Sequence, residues 1–175
     1  MKKDGFTIME LLVTMVVLAI VTAITIPVFA RWLPDYRLRA AARDLYSNFQ
    51  LAKMAAVRNN SNCAITFNQA IGGMVYDYVV FVDANNNVEY DAGEQILTRV
   101  LWTDYKDVGF DTGQGGGDGL NFNDNDDGLP SIAFRSNGLP RDNLGGLGMG
   151  TAFLVNTKGM TRSVVVSSGG NIRIQ

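Results

Sequence analysis

The sequence predicts an α+β fold in which one long N-terminal helix packs on antiparallel β-sheet. Two observations lead to this prediction. An uncharged apolar run over residues 11–30 continues into an amphipathic helical pattern that ends near Asn62. Beyond that point the chain changes to short alternating segments separated by Gly, Asn and Asp, which is typical of strands and turns.

The apolar run holds twenty residues and no charge. As a helix with a rise of about 1.5 Å per residue it reaches roughly 30 Å, the thickness of a bilayer's hydrocarbon core. A secretory signal peptide explains this run poorly, because the apolar stretch of a signal peptide is typically shorter and ends at a small-residue cleavage site. Lys2 and Lys3 precede the run, so the positive-inside tendency places the N-terminus in the cytoplasm. We therefore expect a single-pass membrane segment with the rest of the chain outside.

Two prolines separate this run from the second half of the helix. Pro27 is expected to kink or locally unwind it, and Pro34 follows after Arg31 and Trp32, which suit the headgroup level of a membrane. From residue 35 onward apolar residues recur at spacings of four and three. They are Leu38, Ala42, Leu45, Phe49, Ala52 and Ala56. This stripe predicts a helical face that packs on the domain's own sheet.

Strands are predicted where β-branched or aromatic residues alternate between turn residues, at 63–67, 75–82, 95–101, 131–134, 151–156, 162–167 and 172–174. Seven or eight short strands indicate two small sheets or one strongly curved sheet. Residues 109–128 are rich in Gly, Asn and Asp, so we expect a mobile surface loop that buries little.

Composition excludes several classes of site. The chain has no histidine, which rules out Ser-His and Cys-His nucleophile systems and His-ligated metal centres. Its single Cys63 cannot form an internal disulfide and is expected to be a buried strand residue. The net charge of −2 gives no bulk attraction to nucleic acid. No nucleophile or phosphate-binding motif appears, and an enzyme is not expected.

One polar segment between two predicted strands has the spacing of a calcium loop. Asp83, Asn85, Asn87, Glu89, Asp91 and Glu94 occupy positions 1, 3, 5, 7, 9 and 12 of an EF-hand-like pattern. Position 6, which is normally glycine, is Val88, and the flanking segments are strands rather than helices. A plain polar turn without a cofactor is therefore favoured, with calcium as the alternative.

The N-terminal sequence Gly5-Phe6-Thr7-Ile8-Met9-Glu10-Leu11-Leu12 resembles the prepilin processing motif of the type IV pilin-like family. The resemblance implies that residues 1–5 are a leader, removed after Gly5 by a prepilin peptidase, and that Phe6 becomes the N-methylated terminus. It also implies that Glu10 pairs with the Phe6 amine of an adjacent subunit. A lone carboxylate in hydrocarbon costs a few kcal/mol, so this pairing would favour assembly in register.

Three further stretches resemble the GspH/FimT branch of that family: residues 39–60, residues 83–94, and the C-terminal pattern built on Ile132, Phe134, Gly138, Asn156, Gly159, Gly170, Ile172 and Ile174. This branch contains the H-type minor pseudopilin of type II secretion and a minor pilin of type IV pili. The resemblance implies a leader at 1–5, a transmembrane and filament-core helix at 6–30, an amphipathic helix at 31–62 and a β-rich periplasmic domain at 63–175. Residues 113–128 match nothing in that branch.

The function implied is that of a minor structural subunit in the bacterial inner membrane, with the N-terminus cytoplasmic and the domain periplasmic. The expected partners are the prepilin peptidase and N-methyltransferase, other pilins or pseudopilins in a helical filament, and secreted cargo. The alternative is a FimT-like minor pilin that binds DNA during natural transformation. Its candidate phosphate contacts are Arg141, Lys158, Arg162 and Arg173.

Overall fold

The computed structural model describes residues 6–175, which form one long helix and nine strands. The helix α1 spans Ile8–Asn59. The strands are β1 (Asn62–Ile71), β2 (Met74–Asp83), β3 (Ile96–Val100), β4 (Val108–Phe110), β5 (Ser131–Phe134), β6 (Pro140–Arg141), β7 (Gly150–Asn156), β8 (Thr161–Val166) and β9 (Ile172–Ile174). The expected leader and Gly5 lie outside the described residues. The α+β prediction is confirmed.

The helix α1 runs through both prolines and ends where its sequence provides a stop. Asn60 adopts the left-handed conformation with φ of 50°, and its N–H donates to the carbonyl of Ala56. Asparagine tolerates this conformation better than most residues, which makes it a common helix terminator. All six residues of the predicted apolar stripe are buried, together with Pro34 before them and Ala41 and Ala55 between them. The 4-3 spacing therefore identified the packing face correctly.

The strands form two antiparallel sheets. Sheet A has the order β3-β2-β1-β5-β6, and sheet B has the order β4-β7-β8-β9. In sheet A, Cys63 pairs with Val82 on one side and with Phe134 on the other. Cys63 is fully buried, as expected, and burial together with the nearby Asp83 carboxylate raises the pKa of its thiol to about 11.

The main core lies between α1 and the inner faces of both sheets. Phe49 on the helix packs at ring-centroid distances of 6.3 Å from Phe67 of β1 and 5.9 Å from Phe122. Sheet B contributes alternate residues, of which Ala152, Leu154 and Val164 are buried. The same helical face thus contacts both sheets, which fixes the position of the helix on the domain.

The expectation that residues 109–128 form a loop burying little was wrong. Leu120 pairs with Ala152 at an isolated bridge, and Phe122 stacks on Phe67 at 5.2 Å in the core. A Cβ at Gly150 would lie 2.2 Å from the ring of Phe122, so only glycine allows the ring to pack there. The segment therefore supplies two core residues, although its tip at Gly116 and Gly117 is exposed.

The outer face of sheet A carries a second, smaller apolar cluster. It consists of Ala64, Val79, Phe81, Val88 and Ala133, all of them fully buried. Val88 comes from the polar loop after β2 and covers this face, and Tyr90 packs edge-on against Phe81 at 5.5 Å. The loop between β2 and β3 is therefore folded onto the sheet by apolar contacts.

Candidate functional site

The N-terminal end of α1 carries the residues expected to be processed and to direct assembly. Phe6 and Glu10 are both exposed, and Thr7 is the N-cap of the helix. The Thr7 hydroxyl accepts from the Glu10 N–H at 3.3 Å. Thr7-Ile8-Met9-Glu10 is the Thr-x-x-Glu pattern of a capping box, a local signal that explains where the helix begins. Glu10 also lies in the first turn, where the helix dipole favours a negative charge.

The apolar run has no covering element among the described residues. Every residue from 6 to 32 is exposed, and burial of the helix begins only at Pro34. The three threonines in the run donate to carbonyls of their own helix: Thr14 to Leu11, Thr22 to Leu18 and Thr25 to Val21, at 2.8–2.9 Å. The hydroxyls are thereby satisfied internally, which keeps this surface compatible with hydrocarbon.

Lys158, in the C-terminal part of the sequence, binds the helix at the end of the apolar run. Pro34 has no N–H, so the carbonyl of Ala30 lacks its usual partner four residues on. The Lys158 ammonium donates to the Ala30 carbonyl at 2.9 Å and to that of Arg31 at 2.7 Å. Lys158 lies in the turn between β7 and β8, so this contact ties sheet B to the helix beside Pro34.

A second contact lies nearly two turns further along α1, at Arg37. Arg37 donates to the Asp107 carboxylate at 2.7 Å, with both side chains a little more than a quarter exposed. The Asp107 carbonyl accepts from the Thr157 N–H, so the two loops that hold the helix also hold each other. On the outer side of the helix, Trp32 stacks on Tyr36 at 5.1 Å, and both are about half exposed. The helix segment 31–37 therefore carries aromatic rings and cations, and the contacts with Lys158 and Asp107 fix its angle to the domain.

The polar loop 83–94 is organised by its own side chains. The buried Asp83 carboxylate accepts from the N–H groups of Asn87 and Val88, at 3.1 and 3.2 Å. Burial raises the pKa of Asp83, an effect that these backbone donors partly offset. The Glu94 carboxylate accepts from the N–H groups of Ala84 and Asp91, which closes the two ends of the loop.

The candidate cation ligands are only partly brought together. Asn85 and Asn87 both donate to Asp91 Oδ2, at 2.7 and 3.0 Å, so three of the predicted ligands converge. Within residues 6–175, however, no group of three or more His, Cys, Asp and Glu side chains is placed to hold a metal ion. Val88 at position 6 has φ of +65°, the left-handed conformation that glycine normally supplies there. The calcium alternative stays a prediction.

The family described as Type II transport protein GspH matches residues 41–170, well over half of the chain. The chain belongs to the GspH family. The prokaryotic N-terminal methylation motif matches residues 1–26, in agreement with the features seen at Phe6 and Glu10. The resemblance to the GspH/FimT branch of pilin-like proteins is therefore confirmed. The family consists of structural pilin and pseudopilin subunits, and the prediction that the chain is not an enzyme is confirmed with it.

Known proteins similar to this GspH-family chain include both pilins and pseudopilins. The pilin-like protein PilA1 of Thermus thermophilus is 29% identical over 180 residues, covering 100% of each chain. The minor pseudopilin EpsH of the Vibrio cholerae type 2 secretion system covers 79% of this chain and 96% of its own, at 11% identity and a TM-score of 0.47. The type IV minor pilin FimU of Pseudomonas aeruginosa covers 79% and 92%, at 16% identity and a TM-score of 0.45.

The four cations predicted to contact DNA do not form one surface in this GspH-family domain. Lys158 lies beside the helix at residues 30–31, whereas Arg141 donates to the Asn86 carbonyl in the acidic loop. Arg162 borders a small cavity of about 140 Å³ between α1 and β9, together with Arg39 and Arg43. Arg173 is exposed on β9. Arg162 therefore shares its cavity with two other arginines, and both of those come from the helix.

Sequence reasoning missed the contacts that attach the helix to the domain. Lys158 is 128 residues from Ala30 in the sequence, and Asp107 is 70 residues from Arg37. One local signal was available: Pro34 leaves a carbonyl without a donor, which requires a partner from elsewhere. The identity of that partner depends on the tertiary structure and could not be found from spacing.

Proposed function

We propose that this chain is a minor pilin or pseudopilin whose helix inserts into a helical filament, either a type II secretion pseudopilus or a type IV pilus, at or near the tip. Its precursor is cleaved after Gly5 by a prepilin peptidase and N-methylated at Phe6. The observation that supports this most directly is the uncovered apolar surface of residues 6–32 on a helix whose second half is buried in a folded domain.

The physical argument is that this surface needs an apolar environment before and after assembly. α1 is long and apolar enough to cross a membrane by length and composition. In the bilayer the lipid covers the rod, and in a filament similar rods from other subunits cover it. Glu10 favours the filament over the bilayer. A carboxylate alone at the edge of the hydrocarbon is costly, and the cost is smaller beside the amine of a neighbouring Phe6.

Processing is tested by mass spectrometry of the protein purified from cells that carry the peptidase. We expect a mature chain that begins at Phe6 and carries one methyl group on its amine. A Gly5→Leu variant in the same cells is the control and should keep residues 1–5. If the wild-type chain also keeps Met1 in the presence of the active peptidase, the proposed processing is wrong.

Assembly is tested by Glu10→Ala, with Thr14→Ala as the matched control in the same apolar helix. We expect both variants to be processed and to remain in the membrane, and only Glu10→Ala to be depleted from sheared filaments. The control removes a hydroxyl that bonds to its own helix and should incorporate normally. Equal incorporation of Glu10→Ala and wild type would show that the carboxylate is not needed for register.

A DNA-binding minor pilin remains the second candidate, and the grouping of Arg39, Arg43 and Arg162 around one cavity favours it. If DNA is the ligand, binding by the full chain should weaken steeply with salt, and Arg43→Gln should reduce both affinity and the salt slope. Arg99→Gln is the control, since Arg99 lies over the Tyr76 ring on another face. Absence of binding at low salt would remove this candidate.

A further inference from the structure

The end of the domain nearest the apolar run is held at a defined height along the helix. The contact of Lys158 with the carbonyls of Ala30 and Arg31 places the turn 157–160 level with the last residue of the run. The contact of Arg37 with Asp107 ties the neighbouring loop to the helix, and the Asp107 carbonyl accepts from the Thr157 N–H at 3.1 Å, so the two loops lie side by side. We call residues 104–107 and 157–160 the base of the domain.

The height of the base corresponds to the headgroup layer of a membrane spanned by residues 11–30. That layer is roughly 5–7 Å thick on each side of a hydrocarbon core of about 30 Å. Because the two loops are hydrogen-bonded to each other and Lys158 contacts the end of the run, Lys106 and Met160 lie near this layer as well. All three side chains are exposed.

The base and the adjoining helix are positively charged. The cations are Arg31, Arg37, Arg39, Lys106 and Lys158, and the acids are Asp35, Asp104 and Asp107, which leaves a net charge of +2. Asp35 and Arg39 form a salt bridge. Arg37 and Asp107 neutralise each other in a salt bridge. Lys158 donates to neutral carbonyls rather than to an acid, and within the described part of the chain Lys106 has no carboxylate within 4 Å.

The opposite end of the domain carries the opposite charge. Asp83 pairs with Asn62, just beyond the end of α1, and the loops 83–94 and 123–143 contact each other there through Glu89 and the Asp127 N–H at 3.0 Å. These loops hold eight acids, and the nearby arginines are Arg58, Arg135 and Arg141, which leaves −5. The two ends are separated by about 40 Å of helix between residues 31 and 59.

We propose that the base is a docking surface for anionic lipid headgroups, which holds the domain upright on the membrane before assembly. Lys106, Lys158 and Arg31 contact lipid phosphates, Met160 and Trp32 insert at the boundary of the acyl chains, and the acidic end is repelled from the same surface. This proposal rests on the membrane anchoring in the proposed function. It adds the class of lipid and the residues that bind it.

The test uses the full chain in nanodiscs of phosphatidylcholine alone or with phosphatidylglycerol. A fluorophore on Met160→Cys reports contact through quenching by lipids that carry a nitroxide on the headgroup, and Cys63 is buried and does not compete for the label. A label on Leu144→Cys, 89% exposed in the loop after β6, is the control for collisions unrelated to docking. Lys106→Glu is compared with Arg58→Glu, which makes the same charge change near the end of α1.

We expect quenching at position 160 to be stronger in the anionic discs and to fall at high salt, with little quenching at position 144. Lys106→Glu should lower the ratio of docked to free domain by about fivefold or more, and Arg58→Glu should not lower it. Equal quenching in neutral and anionic discs, or equal effects of the two variants, would overturn the docking proposal and leave the anchoring intact. Failure of the chain to co-elute with either disc would overturn both proposals.

Discussion

At the scale of single residues, Lys158 illustrates how one side chain compensates for a proline. The Ala30 carbonyl loses its helical donor because residue 34 is proline, and the Lys158 ammonium replaces that donor. The bond is exposed, so its contribution to stability is expected to be about 1 kcal/mol rather than the larger value of a buried charged bond. Its role is therefore to position the helix more than to stabilise the domain.

This role predicts a specific coupling between Lys158 and Pro34. Lys158→Met should lower the free energy of unfolding by about 1 kcal/mol in the wild-type background. In a Pro34→Ala background the restored N–H satisfies Ala30, so the same change should cost clearly less, although the Arg31 carbonyl still accepts. Thermal unfolding of the four full-length chains in detergent measures the coupling energy. Additive effects of the two substitutions would show that Lys158 does not act by replacing the helical donor that the Ala30 carbonyl lacks.

Asp77 predicts part of the pH dependence of stability. Burial raises the pKa of its carboxyl above the ordinary 3.8, partly offset by the Trp102 N–H, which donates to it at 2.6 Å. A raised pKa means that the folded state holds the proton more tightly. The stability from this group is fully present below about pH 4 and is lost as the pH rises through the raised pKa.

Asp77→Asn should remove this contribution, because the Asn carbonyl still accepts from Trp102 and carries no charge. Urea unfolding from pH 4 to pH 7 should show wild type losing stability relative to Asp77→Asn as the pH rises, at a rate of at most about 1.4 kcal/mol per pH unit. Asp111→Asn is the control, since Asp111 is a loop residue that is partly exposed. A difference between Asp77→Asn and wild type that does not change with pH would contradict the prediction.

At the scale of elements, the loop 83–94 combines strain with burial at one residue. Val88 is fully buried among Val79, Phe81 and Ala133, yet its φ is +65°. A β-branched residue pays about 1–2 kcal/mol in this conformation, whereas burial of a valine side chain contributes about 1.5–3 kcal/mol. The apolar contact exceeds the strain, which explains why valine is stable at a position that normally requires glycine.

This balance predicts an unusual order of stabilities for substitutions at Val88. Val88→Ala keeps most of the strain and loses two methyl groups, so it should cost about 2 kcal/mol. Val88→Gly loses slightly more surface but relieves the strain, so it should cost no more than the alanine variant. At the ordinary strand position Val79, glycine should be clearly worse than alanine. Urea midpoints of the four variants test this prediction. A Val88→Gly variant that is clearly less stable than Val88→Ala would contradict it.

The same loop predicts how the protein responds to calcium. The carboxylates of Asp83 and Glu94 already accept from N–H groups of the chain, so the loop closes without an ion. We therefore expect the melting temperature to be nearly the same in millimolar calcium and in EDTA. A calcium-dependent rise that disappears in Glu94→Gln would instead support the calcium alternative, because an ion that binds only the folded state raises its stability.

Some elements could be predicted from their own sequences, and others could not. All six residues predicted for the stripe from Leu38 to Ala56 are buried, since a long helix repeats its period many times. Ala41 and Ala55 are buried on the same part of the helix and were not predicted. The strands β4 and β6, with three and two residues, are too short to show alternation. Leu120 and Phe122 were placed in a surface loop because two apolar residues among Gly, Asn and Asp are too few to show a period. The burial of Phe122 depends on the missing side chain at Gly150, which lies elsewhere in the sequence.

At the scale of the whole molecule, the rod and the domain are built as separable parts. The core takes its helical residues from Leu38 onward, and residues 6–32 are exposed throughout. The contacts between the two parts that involve residues before Pro34 are those of Lys158 with the Ala30 and Arg31 carbonyls, as far as hydrogen bonds of the described residues show. The apolar rod can therefore change its surroundings from lipid to filament without disturbing the packing of the sheets.

This separation predicts that a fragment of residues 33–175 folds alone. Its melting temperature should lie within a few degrees of that of the full chain in detergent, since the loss of the Lys158 contacts corresponds to about 1 kcal/mol. A shorter fragment of residues 45–175 is the control, because it lacks the fully buried Leu38 and Ala41 and should be strongly destabilised or unfolded. Near-ultraviolet circular dichroism and thermal unfolding distinguish the two fragments. If residues 33–175 were unfolded as well, the apolar rod would have to stabilise the domain, and its transfer from membrane to filament could not leave the sheets unchanged.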